Sequence, residues 1–230
     1  MAEKKPVEFE EVADDSAKVV EKAKGFWERY SKMIVYGGGG LIALLAAYIG
    51  YNKFYAEPRQ TKAQEAIWRA QQYFQQDSLR LALSGDGQFP GFEKVARNYS
   101  GTKAGNLARY YAGICHLRLG DFKKAESQLK DFNTGAKEIQ AIAWARLADA
   151  LAEQGKQKEA VAYYAKAGYH FPEQEALSAE FLFRAGLLSE VLGNSKDAVK
   201  YYQEIKDKYS RTSQGTQIDK YLARLGEVGN

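Results

Sequence analysis

The 230-residue sequence is poor in the residues on which catalysis and cross-linking depend. It holds one cysteine, Cys115, two histidines, His116 and His170, and four prolines. A lone thiol closes no intramolecular disulfide, so an oxidising compartment is permitted but not signalled. Neither histidine has a cysteine or paired carboxylate at metal-ligand spacing, and structural roles are expected for both. Cys115 lies on a core-facing helix, where a buried, inert thiol is expected. There is no Walker motif, nucleophile elbow or HExxH. The glycines Gly37 to Gly40 make no phosphate loop, since no strand precedes them and no Lys-Ser/Thr follows. Asn98-Tyr99-Ser100 fits the N-glycosylation triplet, which arises often by chance. A net charge of +4 is spread along the chain, without the dense basic stripe that nucleic acid requires. No catalytic, metal-binding or cofactor-binding residue is assigned, and no enzyme activity, cofactor, nucleic acid or small-molecule substrate is expected.

What the chain does have is one uncharged run, Ile34 to Tyr51. As a helix its eighteen residues span about 27 Å, close to the thickness of a hydrocarbon core. A buried core helix is the competing reading. Tyr30, Tyr36, Tyr48, Tyr51, Phe54 and Tyr55 crowd the two ends, as amphipathic aromatics do at a water–lipid boundary. Four consecutive glycines weaken a soluble helix but are tolerated in a membrane one. Gly39, Ala43, Ala46, Ala47 and Gly50 share a face on which another helix can pack closely. A cleaved signal fits poorly: 33 mostly polar residues with eight acids precede the run, and no small-x-small pair follows its core. Lys18, Lys22, Lys24, Arg29 and Lys32 precede it, against Lys53, Arg59 and Lys62 after it, which places the N-terminus in the cytoplasm and the larger C-terminal part outside it.

Residues 1 to about 15 are acid-rich and expected to be disordered. Between Ser16 and Lys32, apolar residues from Val19 to Tyr30 recur at helical spacing opposite charges, as in a helix lying on the inner membrane surface, or else an extended lead-in. After the run, Pro58 marks entry into a helix of about twenty residues whose apolar stripe includes Ala63, Ile67 and Ala70. Ser84 to Gly91 (SGDGQFPG) then breaks the chain. The expected divisions are a cytoplasmic tail with its juxtamembrane helix (1–32), a span (33–55), a stalk or first helix (56–84) and a repeat domain (85–230).

That last division rests on self-similarity. Gly120-x-x-x-x-Ala125, Gly155-x-x-x-x-Ala160 and Gly193-x-x-x-x-Ala198 recur at intervals of 35 and 38 residues. In each, the glycine permits the turn that ends one helix, and the alanine lets the next pack closely on it. The sequence here resembles the tetratricopeptide repeat. Its best-matching unit carries Trp144, Leu147, Ala148, Leu151, Gly155, Ala160, Tyr164, Ala167 and Pro172. The first unit has Arg109 where a large aromatic is usual, and the third has Ser210 in place of the closing proline. A further echo pairs Asn98–Gly105 with Lys208–Gly215, so Phe92–Tyr99 is expected as a half-repeat and Thr216–Val228 as a final covering helix. The fold class expected is all-α: one N-terminal transmembrane helix followed by an α-solenoid of about three full repeats plus caps.

The resemblance to the repeat implies an inner face made by the first helix of each unit. Its positions are Leu107, Tyr110, Ile114 and Leu117 in the first unit, Ile142, Ala145 and Asp149 in the second, and Glu180, Phe183, Leu187 and Glu190 in the third. The surface is mostly apolar, which suits an amphipathic helix or unfolded apolar segment better than an acidic peptide tail. A groove filled by the stalk or final helix is the alternative. In its order of tail, span, stalk helix and repeats, the chain resembles the YfgM family, ancillary subunits of the bacterial SecYEG translocon. That resemblance implies a single-pass inner-membrane protein with a periplasmic domain that assists exported polypeptides together with a PpiD-like chaperone. A scaffold for another envelope complex, in secretion or outer-membrane assembly, is the alternative of the same architecture.

Overall fold

The computed structural model describes the backbone of residues 9–227 and the side chains of residues 18–33 and 35–227. These residues are helical and contain no strand; a single antiparallel bridge joins Gly85 to Pro90. The chain divides into two compact units, Met1–Pro58 and Arg59–Asn230.

The first unit is built on α1, Phe9–Tyr51, 43 residues long. The tail expected to be disordered to about residue 15 is therefore helical from Phe9, while residues 1–8 lie outside the described part. The large apolar side chains described in α1 are exposed, among them Phe26, Trp27, Leu41, Ile42, Leu44 and Tyr48. Among the described residues no single helix is long and apolar enough to cross a membrane. By length and composition, the segments on either side of a 46° bend at residue 34 pass that test together. A five-residue π-turn, Asn52–Ala56, follows α1, with the Glu57 N–H donating to the Asn52 carbonyl. It lies just ahead of Pro58, whose ring would clash with the carbonyl four residues earlier in a regular α-helix.

The second unit stacks helical hairpins. The helix pairs are α5 (Lys103–Arg118) with α6 (Phe122–Lys130), α7 (Lys137–Glu153) with α8 (Gln157–His170), and α9 (Glu175–Val191) with α10 (Ser195–Lys208). The first helix of each pair stops in the same way. Gly120, Gly155 and Gly193 sit at φ of 78°, 77° and 73°, and the amide after each glycine donates back five residues, to His116, Leu151 and Ser189, at 2.9 Å. That is a Schellman turn, which the left-handed glycine makes without a Cβ penalty. Asp121 and Asn194 then cap the next helix with their side chains; Lys156, at the same place, does not.

The same turn appears twice more. The terminal helix α11 (Ile218–Arg224) ends at Gly226, φ 87°, with the Glu227 amide on the Leu222 carbonyl. Helix α2 (Glu57–Gln75) ends at Asp77, φ 60°, with the Ser78 amide on the Tyr73 carbonyl. Aspartate is one of the few side chains that tolerate this conformation, and Arg118 donates to its carboxylate at 2.6 Å. Ala82, five residues after Asp77, is fully buried like its counterparts Ala125, Ala160 and Ala198. The helix expected as a stalk thus has the form of the first helix of a further hairpin. Its partner is broken into α3 (Leu79–Ser84) and α4 (Phe92–Asn98). Asp77 to Gly120 is 43 residues against 35 for Gly120 to Gly155, and those eight extra residues match Ser84–Gly91, the expected break. Asp86 closes that insertion by accepting from the Phe89 and Gln88 amides (2.7 and 3.0 Å) and the Tyr73 hydroxyl (2.6 Å), which hold its carboxyl below the usual range.

The 110-residue echo is one local structure built twice. Thr102 and Thr212 each donate to a tyrosine carbonyl, of Tyr99 and Tyr209, at 2.7 Å. Each also accepts from a glycine amide, of Gly105 and Gly215, at 3.0 and 3.1 Å. A Cβ on either glycine would lie 2.1 Å from that tyrosine carbonyl oxygen, so only glycine fits. Thr216–Val228, expected as one final helix, is a 3₁₀ turn (Gly215–Gln217) and α11, with Val228 outside the described residues.

Two apolar clusters make the core of this unit. One joins α2, α3, α4 and α5 through Ala63, Ile67, Leu83, Phe92, Val95 and Ala108, and holds Cys115 fully buried. Burial pushes that thiol up to about 12. The other runs from Leu129 through α7 to α11 and includes Leu147, Leu182, Tyr202, Ile205 and Ile218. Alanine and glycine at the crossings let the helices approach: an added Cβ on Gly113 would meet Leu129 at 2.5 Å, and one on Gly186 would meet Tyr202 at 2.3 Å.

Candidate binding groove

Helices α7 and α9 are the first helices of adjacent hairpins, and an open cleft of about 450 Å³ lies along them. Of the positions expected on the inner face, Glu180, Phe183 and Leu187 line this cleft. Asp149 is bonded to two more of its residues, Tyr164 and Arg184. The rest of the wall comes from Ala152, Leu188 and Val191, which the inner-face pattern did not include. Leu187, Leu188 and Val191 fall at i, i+1 and i+4, a broader apolar stripe than one inward position per turn. Val191 is 72% exposed, the most open large apolar side chain of this cleft.

The polar groups beside the cleft form a chain of internal contacts. Asp149 accepts from Arg146 at 2.7 Å and from Arg184 at 3.3 Å, and also from the Tyr164 hydroxyl. Arg184 continues to Glu180 at 2.6 Å, and Glu180 accepts from Gln214 at 2.5 Å. Burial first, and then the Asp149 hydrogen bond, raise the Tyr164 hydroxyl above its ordinary 10.0. It therefore stays protonated and donating at neutral pH. Glu190 is held in the same manner by Tyr202 at 2.5 Å and Arg224 at 2.7 Å. Burial and Glu190 raise the Tyr202 hydroxyl likewise.

The final helix contributes to this end of the groove. Tyr221 of α11 stacks edge-on against Phe183 at 4.8 Å, and Arg224 reaches Glu190. Phe183 and Glu190 are therefore partly occupied from within the chain, while Val191 stays 72% exposed. The first-unit positions behave differently. Tyr110 packs on Phe132 at 5.3 Å, and Ile114 and Ile142 pack against the larger core cluster. Leu107 packs against the smaller one, and Leu117 is half-buried. Ala145 is buried. None of these residues lines the α7–α9 cleft.

His116 is buried between carboxylates that its sequence neighbourhood did not reveal. Its Nε2 lies 2.9 Å from Glu93 of α4, and its Nδ1 3.8 Å from Asp121. This ties α4 to the turn that ends α5. His170 packs its ring against Trp144 at 4.7 Å. Among the described residues, no group of three or more histidine, cysteine or acidic side chains is placed to hold a metal ion. In α1, an added Cβ at Gly39 or Gly50 would meet nothing within 4 Å, and Ala43, Ala46 and Ala47 are exposed.

Comparison with known families agrees with this architecture. The model of the tetratricopeptide repeat-like domain matches residues 24–226, which takes in the apolar run of α1 as well as every hairpin. No curated protein matches the chain. Domains of this kind mediate protein–protein interaction. Stacked hairpins with one repeated Schellman turn and a family match over most of the chain's length lead to one conclusion: the chain belongs to the tetratricopeptide repeat-like domain family.

Proposed function

We propose that the chain is a membrane-anchored protein-interaction module without catalytic activity, held by the apolar part of α1 with its N-terminus in the cytoplasm and its repeat unit in the periplasm. The observation that carries this reading is the exposure of every large apolar side chain from Leu41 to Tyr51 around a helix. That surface is stable in lipid and costly in water. The family match beginning at residue 24 supports it, because the apolar helix then belongs to the domain and is not an appendage. The role we infer is that of an ancillary subunit of a SecYEG-type translocon, where the repeat unit receives exported polypeptides alongside a PpiD-like chaperone. A scaffold within another envelope complex would use the same groove for one fixed partner.

Two measurements test this. Alkaline carbonate extraction of bacterial membranes should leave the chain in the pellet, and protease added to spheroplasts should cleave the repeat unit but not residues 1–32; release into the supernatant overturns the anchor. Photocrosslinking from Leu187 in living cells should yield many nascent chains together with translocon and chaperone subunits. A single product of fixed size would favour the scaffold, and complexes without any translocon or chaperone component would rule out the export role.

A further inference from the structure

The charged groups beside the α7–α9 cleft are already answered from within the chain. Asp149 has both carboxylate oxygens engaged, one by Arg146 and one by Arg184 and Tyr164. Both oxygens of Glu180 are engaged too, by Arg184 and Gln214. Two arginines and two carboxylates make this cluster neutral. Arg184 is the one cation and Glu180 the one anion among the residues that line the cleft. A ligand carrying charge would have to break one of these pairs and leave its partner uncompensated in a half-buried place. What the cleft offers without such a cost is its apolar wall of Leu187, Leu188 and Val191. At about 450 Å³, the cleft has room for a compact side chain while staying open to solvent.

From this charge balance we propose that the cleft takes an uncharged apolar segment of another polypeptide, anchored by one branched or aromatic side chain. Asp149 and Glu180 keep acidic segments out, because they already hold the guanidinium of Arg184. The inference rests on the reading of the inner face as a protein-binding groove, and it names the ligand class of that groove.

The test uses the full-length chain in lipid nanodiscs and fluorescence anisotropy with three end-capped synthetic peptides of equal length. One is uncharged and rich in leucine, valine and serine; in the others glutamate or lysine replaces serine. The uncharged peptide should bind, with an affinity that changes less than about twofold between low and high salt. Leu187→Asp and Val191→Asp, at accessible positions, should each weaken it more than about tenfold. Asp149→Asn leaves the cluster one positive charge in excess. It should create binding of the glutamate peptide that salt weakens, an effect that simple loss of packing would not produce. Tighter binding of either charged peptide by the unmodified chain, or uncharged-peptide binding that survives both aspartate variants, overturns the proposal. So does self-association that Leu187→Asp abolishes, since a second copy would then be the occupant. If no peptide binds yet Leu187 crosslinks to proteins in cells, the ligand class is wrong and the groove reading stands; if both fail, both fall.

Discussion

Replacing Gly186 by alanine sets two effects of opposite sign against each other. In a bare helix the change is stabilising by about 1 kcal/mol. In α9 the new Cβ would lie 2.3 Å from one carbon of the Tyr202 ring and 2.9 Å from two others. Carbon atoms in contact sit about 3.5–4.0 Å apart, so the ring must recede by more than about 1 Å. It has nowhere to go. Tyr202 is fully buried, flanked by Phe183 at 6.0 Å and Tyr221 at 5.6 Å, and its hydroxyl is fixed to Glu190 at 2.5 Å. Overpacking costs about 1–3 kcal/mol, and loss of a hydrogen bond to a charged acceptor about 1.5–3 kcal/mol. After subtracting the propensity gain, Gly186→Ala should destabilise the hairpin by about 3 kcal/mol. Hydrogen exchange of α9 and α10 in the full-length chain is the assay, because repeat arrays open locally and not always as one. Amides there should exchange about a hundredfold faster, while those of α2 stay near their original rates. Combining the change with Tyr202→Leu should recover part of the loss, as expected for two residues in contact. Unchanged or slower exchange in α9 and α10 would show that helix propensity alone governs the site and that the close approach of these helices is not a constraint.

Asp77→Gly should stabilise the α2–α3 turn by about 0.5–1 kcal/mol, the relief of a left-handed aspartate less the small worth of its exposed pair with Arg118; slower exchange in α2 would show it, and Asp77→Ala should have the opposite sign. Thr102→Val should fray the start of α5 at a cost of about 1 kcal/mol, whereas Thr102→Ser should be close to neutral; exchange at Gly105 reads both. The Lys156 ammonium, 2.7 Å away, and then Gln154 hold the Glu126 carboxyl below its usual 4.5. That pair therefore adds stability above pH 4.5, and the contribution is lost as pH falls through the lowered value. Urea midpoints measured against pH should show a steeper acid limb for the original chain than for Lys156→Met, and equal limbs would refute the pairing.

Much of this fold can be read from spacing. Gly120, Gly155 and Gly193 mark turns because no other residue accepts the left-handed conformation so readily, and the Thr102–Gly105 echo is visible because one hydrogen-bonded design recurs. The hairpin of α2 stayed hidden for two physical reasons. Asp77 occupies the glycine position, and an eight-residue insertion splits the partner helix and shifts the period. The groove was legible only in part. Partners such as Asp149 with Arg184, 35 residues apart, and Glu190 with Arg224, 34 apart, follow the repeat period and not the helix period. Opposite charges one repeat apart are to a solenoid what i, i+4 pairs are to a single helix. Glu93 and His116 have no such regularity, since their 23-residue separation depends on how α4 folds back onto α5.

The burial of Cys115 leaves the folded molecule chemically silent toward thiol reagents. A cysteine introduced at Val191 or Leu187 would be the one site that a maleimide finds, with no need to remove the natural residue first. Cys115 itself then serves as a clock. Its labelling under native conditions counts how often the hairpins of α2 to α5 come apart, while the introduced site reports whether the groove is covered.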